Sequence, residues 1–325
     1  MNKTGGPGPS LPAIEDTTRR DFLVGGAAVL LLGGCGGSGD GDGENPSVQT
    51  RTVRHALGTT EVPRQPRRVI ALDPSSGINL KTLGVEVIGA VKPNIASPAA
   101  VRSLLPEAEL VGTESAPNLE KIATLRPDMI VMPSYEGEAA NYDQLSEIAP
   151  TVAYRFLNPQ WEKMLRQQAS FVGRVDEAER LISRHQKRLQ SLRGRVEAAG
   201  RPTINYLRFY AERLGVCVGY LETRLMSEAG FRFPEGYGHN TESPRCTSES
   251  LEQLPRLDAD ILLVGVDPGA EDLARRYRES PLWRRLGAIR EGRVLEVNTG
   301  VWLSFDYPGI QMMLDDLERA LGLLG

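Results

Sequence analysis

The chain has 325 residues, 40% of them hydrophobic and 25% charged, with a net charge of −4. That is enough apolar material for one large or two modest cores, and there is no basic surplus to serve a nucleic-acid surface.

Residues 1–35 read as a targeting segment and stand apart from the fold. Thr18-Arg19-Arg20-Asp21-Phe22-Leu23 resembles a twin-arginine export signal, and the apolar run from Phe22 to Leu32 is too short to cross a bilayer. Leu32-Gly33-Gly34-Cys35 resembles a lipoprotein cleavage box with Cys35 as the acylated residue. The bland alternative is a buried N-terminal helix with a structural cysteine. Residues 36–50, rich in Gly, Ser, Asp and Asn, form a flexible tether.

A first lobe is expected over residues 51–155. Weak alternation around Gly58-Thr59 predicts a hairpin over 51–63. A buried strand over 67–73 is followed by the loop Pro74-Ser75-Ser76-Gly77, then a helix over 78–83 stopped by Gly84. Strands over 85–91, 129–132 and 151–154 alternate with helices over 119–125 and 141–148. That order implies a parallel, doubly wound sheet.

Residues 156–200 are helical connectors. Leu181, Ile182, His185, Leu189, Leu192 and Val196 recur at three- and four-residue steps, which predicts one long helix over 176–199. A second lobe over 201–325 repeats the theme. Strands are expected over 203–209, 261–266 and 293–297. Helices are expected over 223–229, 251–257 and 309–321, with Trp283 in a short helical stretch. The fold class is therefore α/β, with two doubly wound lobes joined by a long helix.

An internal repeat supports two lobes. Asn118-Leu-Glu-Lys-Ile-Ala-Thr-Leu-Arg-Pro-Asp128-Met-Ile-Val-Met132 aligns without gaps on Ser250-Leu-Glu-Gln-Leu-Pro-Arg-Leu-Asp-Ala-Asp260-Ile-Leu-Leu-Val264. Each copy has a helix-capping residue, Leu-Glu, an amphipathic turn, an Asp and an apolar strand. Glu120 and Glu252 thus fall in equivalent first helical turns, where a carboxylate favours the helix dipole.

In open α/β sheets a ligand sits beyond the carboxyl ends of the strands. The residues there are Ser75, Ser76, Asn94 and Tyr135 in the first lobe, and Arg208, Tyr210, Trp302 and Tyr307 in the second. Aromatic faces suit a bulky chelate and Arg pairs with oxyanions, although each of these residues has a plain packing role as its alternative. Cys217 and Cys246 either pair in an oxidising compartment or stay as separate buried thiols. His55, His185 and His239 lie in a hairpin, a helix and a loop, so no directly bound metal is expected. No Gly-rich phosphate loop or Gly-x-Ser-x-Gly elbow is present, so no enzyme is expected.

The runs Val53-x-His55-x-Leu57-Gly58 and Val62-Pro63-x-x-Pro66-x-Arg68-Val69-Ile70-Ala71-Leu72-Asp73 resemble the start of the ferric-siderophore-binding proteins of ABC importers. Leu83-Gly84-Val85, Pro117-Asn118-Leu119-Glu120, Arg126-Pro127-Asp128, Ile148-Ala149-Pro150-Thr151 and Ser250-Leu251-Glu252-Gln253-Leu254 continue the likeness from about residue 50 onward. The resemblance implies a monomeric, lipid-anchored extracytoplasmic binding protein with limited hinge motion. It also implies no cofactor, an Fe(III)-siderophore as ligand, and Glu120 and Glu252 docking onto Arg residues of an ABC permease dimer. Cobalamin or haem is the alternative ligand, and an enzyme or cofactor-handling protein on this scaffold the alternative class. The family's hydroxamate binders carry an Arg shortly before Asn-Leu-Glu. Here that position is Glu114, which argues against hydroxamate chemistry.

Overall fold

The computed structural model describes residues 49–92, 104–135, 137, 139–238 and 244–325; Cys35, Asn94 and His239 lie outside the described residues. Strands β1 (Thr50–His55) and β2 (Gly58–Pro63) form the expected hairpin, with His55 opposite Gly58 and the turn at Ala56-Leu57. It docks on the first lobe, where the Ala56 N–H donates to the Ala153 carbonyl at 2.9 Å.

The first sheet contains β3 (Val69–Ala71), β4 (Val87–Lys92), β5 (Glu109–Thr113), β6 (Met129–Ser134) and β7 (Thr151–Arg155). Its order is β5-β4-β3-β6-β7, and every pairing is parallel. The chain starts in the centre, winds one way, then returns to wind the other. The strand order therefore reverses between β3 and β6, and a crevice opens at their carboxyl ends. Helix α1 (Pro74–Thr82) follows β3 directly, so the stretch expected as a loop is its first turn. The Asp73 carboxylate caps it by accepting the Ser76 N–H at 2.9 Å, and Pro74 at the first helical position needs no N–H partner. Helices α2 (Leu119–Thr124) and α3 (Tyr142–Ile148) complete this lobe.

Helix α4 (Trp161–Val172) ends at Gly173, which takes the left-handed conformation at φ 68°. Helix α5 (Val175–Ala198) then runs 24 residues, about 36 Å. His185 on its buried face packs edge-on against Trp161 and bonds Gln311 at 3.1 Å. Burial holds this imidazole down at about 4, so it is neutral and structural.

In the second lobe, β8 (Ile204–Tyr210) and β9 (Arg213–Gly215) form an antiparallel pair, and β10 (Cys217–Val218) leads to α6 (Leu221–Glu228). Strand β11 (Arg245–Cys246) pairs with β10, and a disulfide joins Cys217 to Cys246 across that register. A 3-10 turn (Leu251–Gln253) and α7 (Leu254–Leu257) precede β12 (Ile261–Val266). Helices α8 (Glu271–Glu279), α9 (Pro281–Arg285) and α10 (Gly287–Arg290) lead to β13 (Val294–Val297), followed by α11 (Thr299–Trp302) and α12 (Tyr307–Gly322). The sheet order is β13-β12-β8-β9, so the reversal here lies between β8 and β12.

The repeat has a structural counterpart. Asp128 accepts the Arg67 and Arg68 N–H groups at 2.7 and 3.0 Å, fixing the start of β3 beside β6. Asp260 does the same for Thr203 at 2.7 Å, fixing the start of β8 beside β12. Each lobe has its own outer core, but the inner faces share one. Met129 and Val131 of the first sheet, Ile261 and Leu263 of the second, Trp161, Leu192 and Leu314 all belong to a single buried cluster. Within it Asn79 of α1 donates to Gln168 of α4 and accepts from the Tyr307 N–H of α12, both at 2.9 Å.

Candidate ligand cleft

Ser75, just after β3, accepts the Phe305 N–H of the loop before α12 at 3.1 Å, so the carboxyl-end loops of both sheets meet. Three rings line this junction. Tyr135 lies 5.2 Å from Phe156, and Phe156 lies 5.1 Å from Phe305. The row spans the end of β6, the end of β7 and the second lobe. Tyr135 is 53% exposed, which for a large aromatic at a concave edge marks a contact surface.

The second lobe contributes positive charge. Arg208, at the switch point, donates from Nε and Nη2 to Asp267 at 3.0 and 2.7 Å. Its guanidinium also lies 4.8 Å from the Tyr210 ring centroid, and that of Arg213 lies 5.6 Å from the same ring. Arg213 is exposed at the tip of the β8–β9 hairpin. Behind Arg208, burial pushes the Glu222 carboxyl up to about 7, with the guanidinium opposing the shift. A folded value above the unfolded one means that stability from this group is complete below about pH 4.5 and is lost as pH rises through about 7. Glu222→Gln is therefore expected to gain about 2–3 kcal/mol over the parent at pH 8 relative to the same comparison at pH 5. Urea unfolding of both proteins at the two pH values checks this, and an equal difference at both would refute it.

The junction of the two lobes carries acid. Burial and the Asp73 charge raise Glu114 to about 7, and burial raises Asp306 to about 6. Tyr135 is pushed up to about 12 by burial and by the Asp73 and Glu114 charges. Guanidinium groups thus gather around Tyr210 at the end of β8, while weakly acidic carboxyls and the Tyr135 phenol gather at the junction of the lobes.

Of the residues read from the sequence, Ser75 and Tyr135 lie at the junction that Phe305 completes, while Arg208 and Tyr210 form a second group with Asp267 and Arg213 at the end of β8. Ser76 does not face the cleft: it is fully buried and bonded to Asp73. Trp302 is also core, 1% exposed, with its indole N–H donated to Asp316 at 2.8 Å. Tyr307 packs near Trp161, its ring buried. Trp302 ends α11 and Tyr307 begins α12, and packing against α12 and α4 respectively turns them inward. Phe156, Phe305 and Arg213 escaped the sequence reading. Phe156 alone had a usable signal, being the first residue after β7. Glu120 and Glu252 are exposed in the first turns after the caps Asn118 and Ser250. Hydrogen bonding from Ser250 lowers the Glu252 carboxyl.

Comparison with known proteins agrees with this architecture. The periplasmic binding protein family profile matches residues 69–299. A probable siderophore-binding lipoprotein of Bacillus subtilis, YfiY, is 30% identical over 308 residues, covering 90% of this chain and 94% of that protein. The Fe(3+)-citrate-binding protein YfmC of the same organism is 27% identical and covers 86% and 88%. Among solved structures, Staphylococcus aureus SirA complexed with staphyloferrin B superposes with a TM-score of 0.71 at 26% identity, covering 84% of this chain and 99% of that one. With its two sheets and shared helical spine, the chain belongs to the periplasmic binding protein family.

Proposed function

We propose that this protein captures an iron(III)-siderophore outside the cytoplasm and delivers it to an ABC permease dimer. The observations that carry the reading are the aromatic row that crosses from lobe to lobe where the carboxyl-end loops meet and the Arg208–Tyr210–Arg213 group at the end of β8. Rings offer area to a bulky chelate, and guanidinium forks match its oxyanions. The siderophore and ferric citrate named for YfiY and YfmC support the same ligand class. Ser75, Tyr135, Arg208 and Tyr210, with Phe156, Phe305 and Arg213, form the proposed contact set. Quenching of tryptophan fluorescence by ferric siderophores, with the iron-free chelators as controls, tests it. Absence of quenching across carboxylate, catecholate and hydroxamate complexes would sink the proposal.

The anchor belongs to the same reading. Residues 1–35 act as an export signal, Cys35 carries the lipid, and 36–50 tether a monomer whose lobes are 51–155 and 201–325 with 156–200 between them. Cys35→Ser is expected to move the protein from the membrane to the soluble extracytoplasmic fraction. Retention on membranes after a high-salt wash would contradict the anchor.

Docking rests on the repeat. A crossover helix runs antiparallel to its strands, so its first turn lies at the strands' carboxyl edge. Glu120 and Glu252 therefore belong to the same edges as the cleft, one per lobe. Glu120→Ala combined with Glu252→Ala is expected to leave chelate affinity unchanged, cost little stability and reduce uptake, because exposed charges act mainly on association. Vesicle transport measured beside fluorescence binding separates the two steps. Normal uptake by the double variant would leave both residues as helix-start carboxylates only.

A further inference from the structure

In the β8–β9 pair, Arg208 is opposite Gly215 and Tyr210 is opposite Arg213. Directly opposed and next-but-one residues share a sheet face, so these four stand on one side. It is the cleft side, because Tyr206 on the same alternation belongs to the core shared by the lobes, while Phe209 and Leu214 belong to the outer one. Three corners of this square carry large side chains and the fourth carries none. A Cβ on Gly215 would lie 2.5 Å from Tyr210 Cε1 and 3.0 Å from its hydroxyl. The Tyr210 ring therefore leans diagonally into the vacant corner. From there it meets the guanidinium groups of both Arg208 and Arg213. The strand conformation makes no demand for glycine, since Gly215 is absent from the positive-φ residues. The Thr247 carbonyl oxygen is also close, 3.0 Å from that Cβ.

We propose that Gly215 is a positioning residue of the ligand cleft. Its missing side chain seats Tyr210 between Arg208 and Arg213, and the resulting Arg–Tyr–Arg platform receives an oxyanionic arm of the chelate. The inference deepens the iron(III)-chelate reading and rests on it for the identity of the arm, but the seat of Tyr210 stands without it. An added methyl overlaps the movable end of Tyr210 far more than it crowds the Thr247 carbonyl, which need give only a few tenths of an ångström, so Gly215→Ala displaces Tyr210 and leaves the fold in place.

The test has two arms. With 3-fluorotyrosine at position 210, Gly215→Ala is expected to move the fluorine resonance while circular dichroism and cooperative unfolding stay as in the parent. An unmoved resonance overturns the proposal. In the second arm ferric citrate is the probe, followed by tryptophan fluorescence. Gly215→Ala and Tyr210→Ala are each expected to weaken it about tenfold, the scale of a desolvated cation–π contact. The double variant is expected to be no weaker than Tyr210→Ala alone, because the methyl then has nothing to displace. Additive losses overturn the coupling. If no ferric chelate binds the parent, the iron(III)-chelate function falls, and the fluorine measurement still decides whether Gly215 seats Tyr210.

Discussion

Replacing Asn79 with leucine is expected to lower the unfolding free energy by about 3 kcal/mol, within the range for stranding two buried polar partners. The side chain is fully buried, so water cannot take its place. Its amide donates to Gln168, itself buried, and its carbonyl accepts the Tyr307 N–H at the start of α12. Leucine matches the volume and offers neither bond. The loss falls where α1 of the first lobe, α4 of the connector and α12 of the second lobe meet, so the whole cooperative unit should feel it. Urea denaturation of Asn79→Leu, Gln168→Leu and the pair provides the measurement. The double variant should cost less than the two singles together, because each single strands the other's partner. A loss below 1 kcal/mol for Asn79→Leu, or strict additivity, would show that the junction is held by apolar packing alone.

Removal of the Cys217–Cys246 bridge is expected to cost about 3–4 kcal/mol on the chain-entropy account. The bridge closes a sequence separation of 29 residues, which includes α6 and Glu222. Cys246 is exposed and Cys217 half-buried, so serine at both positions opens no large core cavity and the effect isolates the crosslink. The β10–β11 pairing remains to hold the segment, with the backbone bonds from Thr247 N–H to Val216 at 2.9 Å and from Glu249 N–H to Leu214 at 2.7 Å. They keep the native register but place no limit on the unfolded chain. Equilibrium unfolding of Cys217→Ser/Cys246→Ser against the oxidised parent tests the size. A difference near zero would mean that the unfolded segment is already compact. Because β10 follows β9 directly, the variant should also loosen the hairpin that presents Arg213.

The elements were legible wherever periodicity ran long. The 3.6-residue pattern through Leu181, Ile182, Leu192 and Val196 gives α5 to within one residue at each end. The matched Asp128 and Asp260 identified two lobes before any geometry, and each turns out to fix the start of its lobe's first strand. The first turn of α1 was hidden because Pro74 and Gly77 read as loop punctuation. Only the Asp73 cap reveals them as a helix start. The cleft was legible to the level of strand ends and no further. Beyond the last ladder residue alternation stops, so sequence position no longer tells which neighbour turns outward. Hence Phe305 faces Phe156 while Trp302 and Tyr307, three and two residues away, are core. Glu114 stood out in the sequence only as a missing arginine. Its raised carboxyl follows from burial and the nearness of Asp73, which sequence separation conceals.

The single core that runs from β6 through α4 and α5 to β12 has a consequence for traffic at the permease. A protein whose lobes close widely on their cargo advertises loading by its outline, and a membrane receptor can ignore empty copies. Here the lobes share packed side chains and the Asn79 junction, which resist such closure. On the docking role proposed for Glu120 and Glu252, empty and loaded copies would then present these carboxylates at nearly the same spacing. On the same proposal, unloaded copies would occupy the permease and slow delivery as their number grows. Raising the ratio of binder to chelate beyond saturation should therefore reduce the uptake rate, and the permease must sense the cargo at the cleft mouth to tell the two apart.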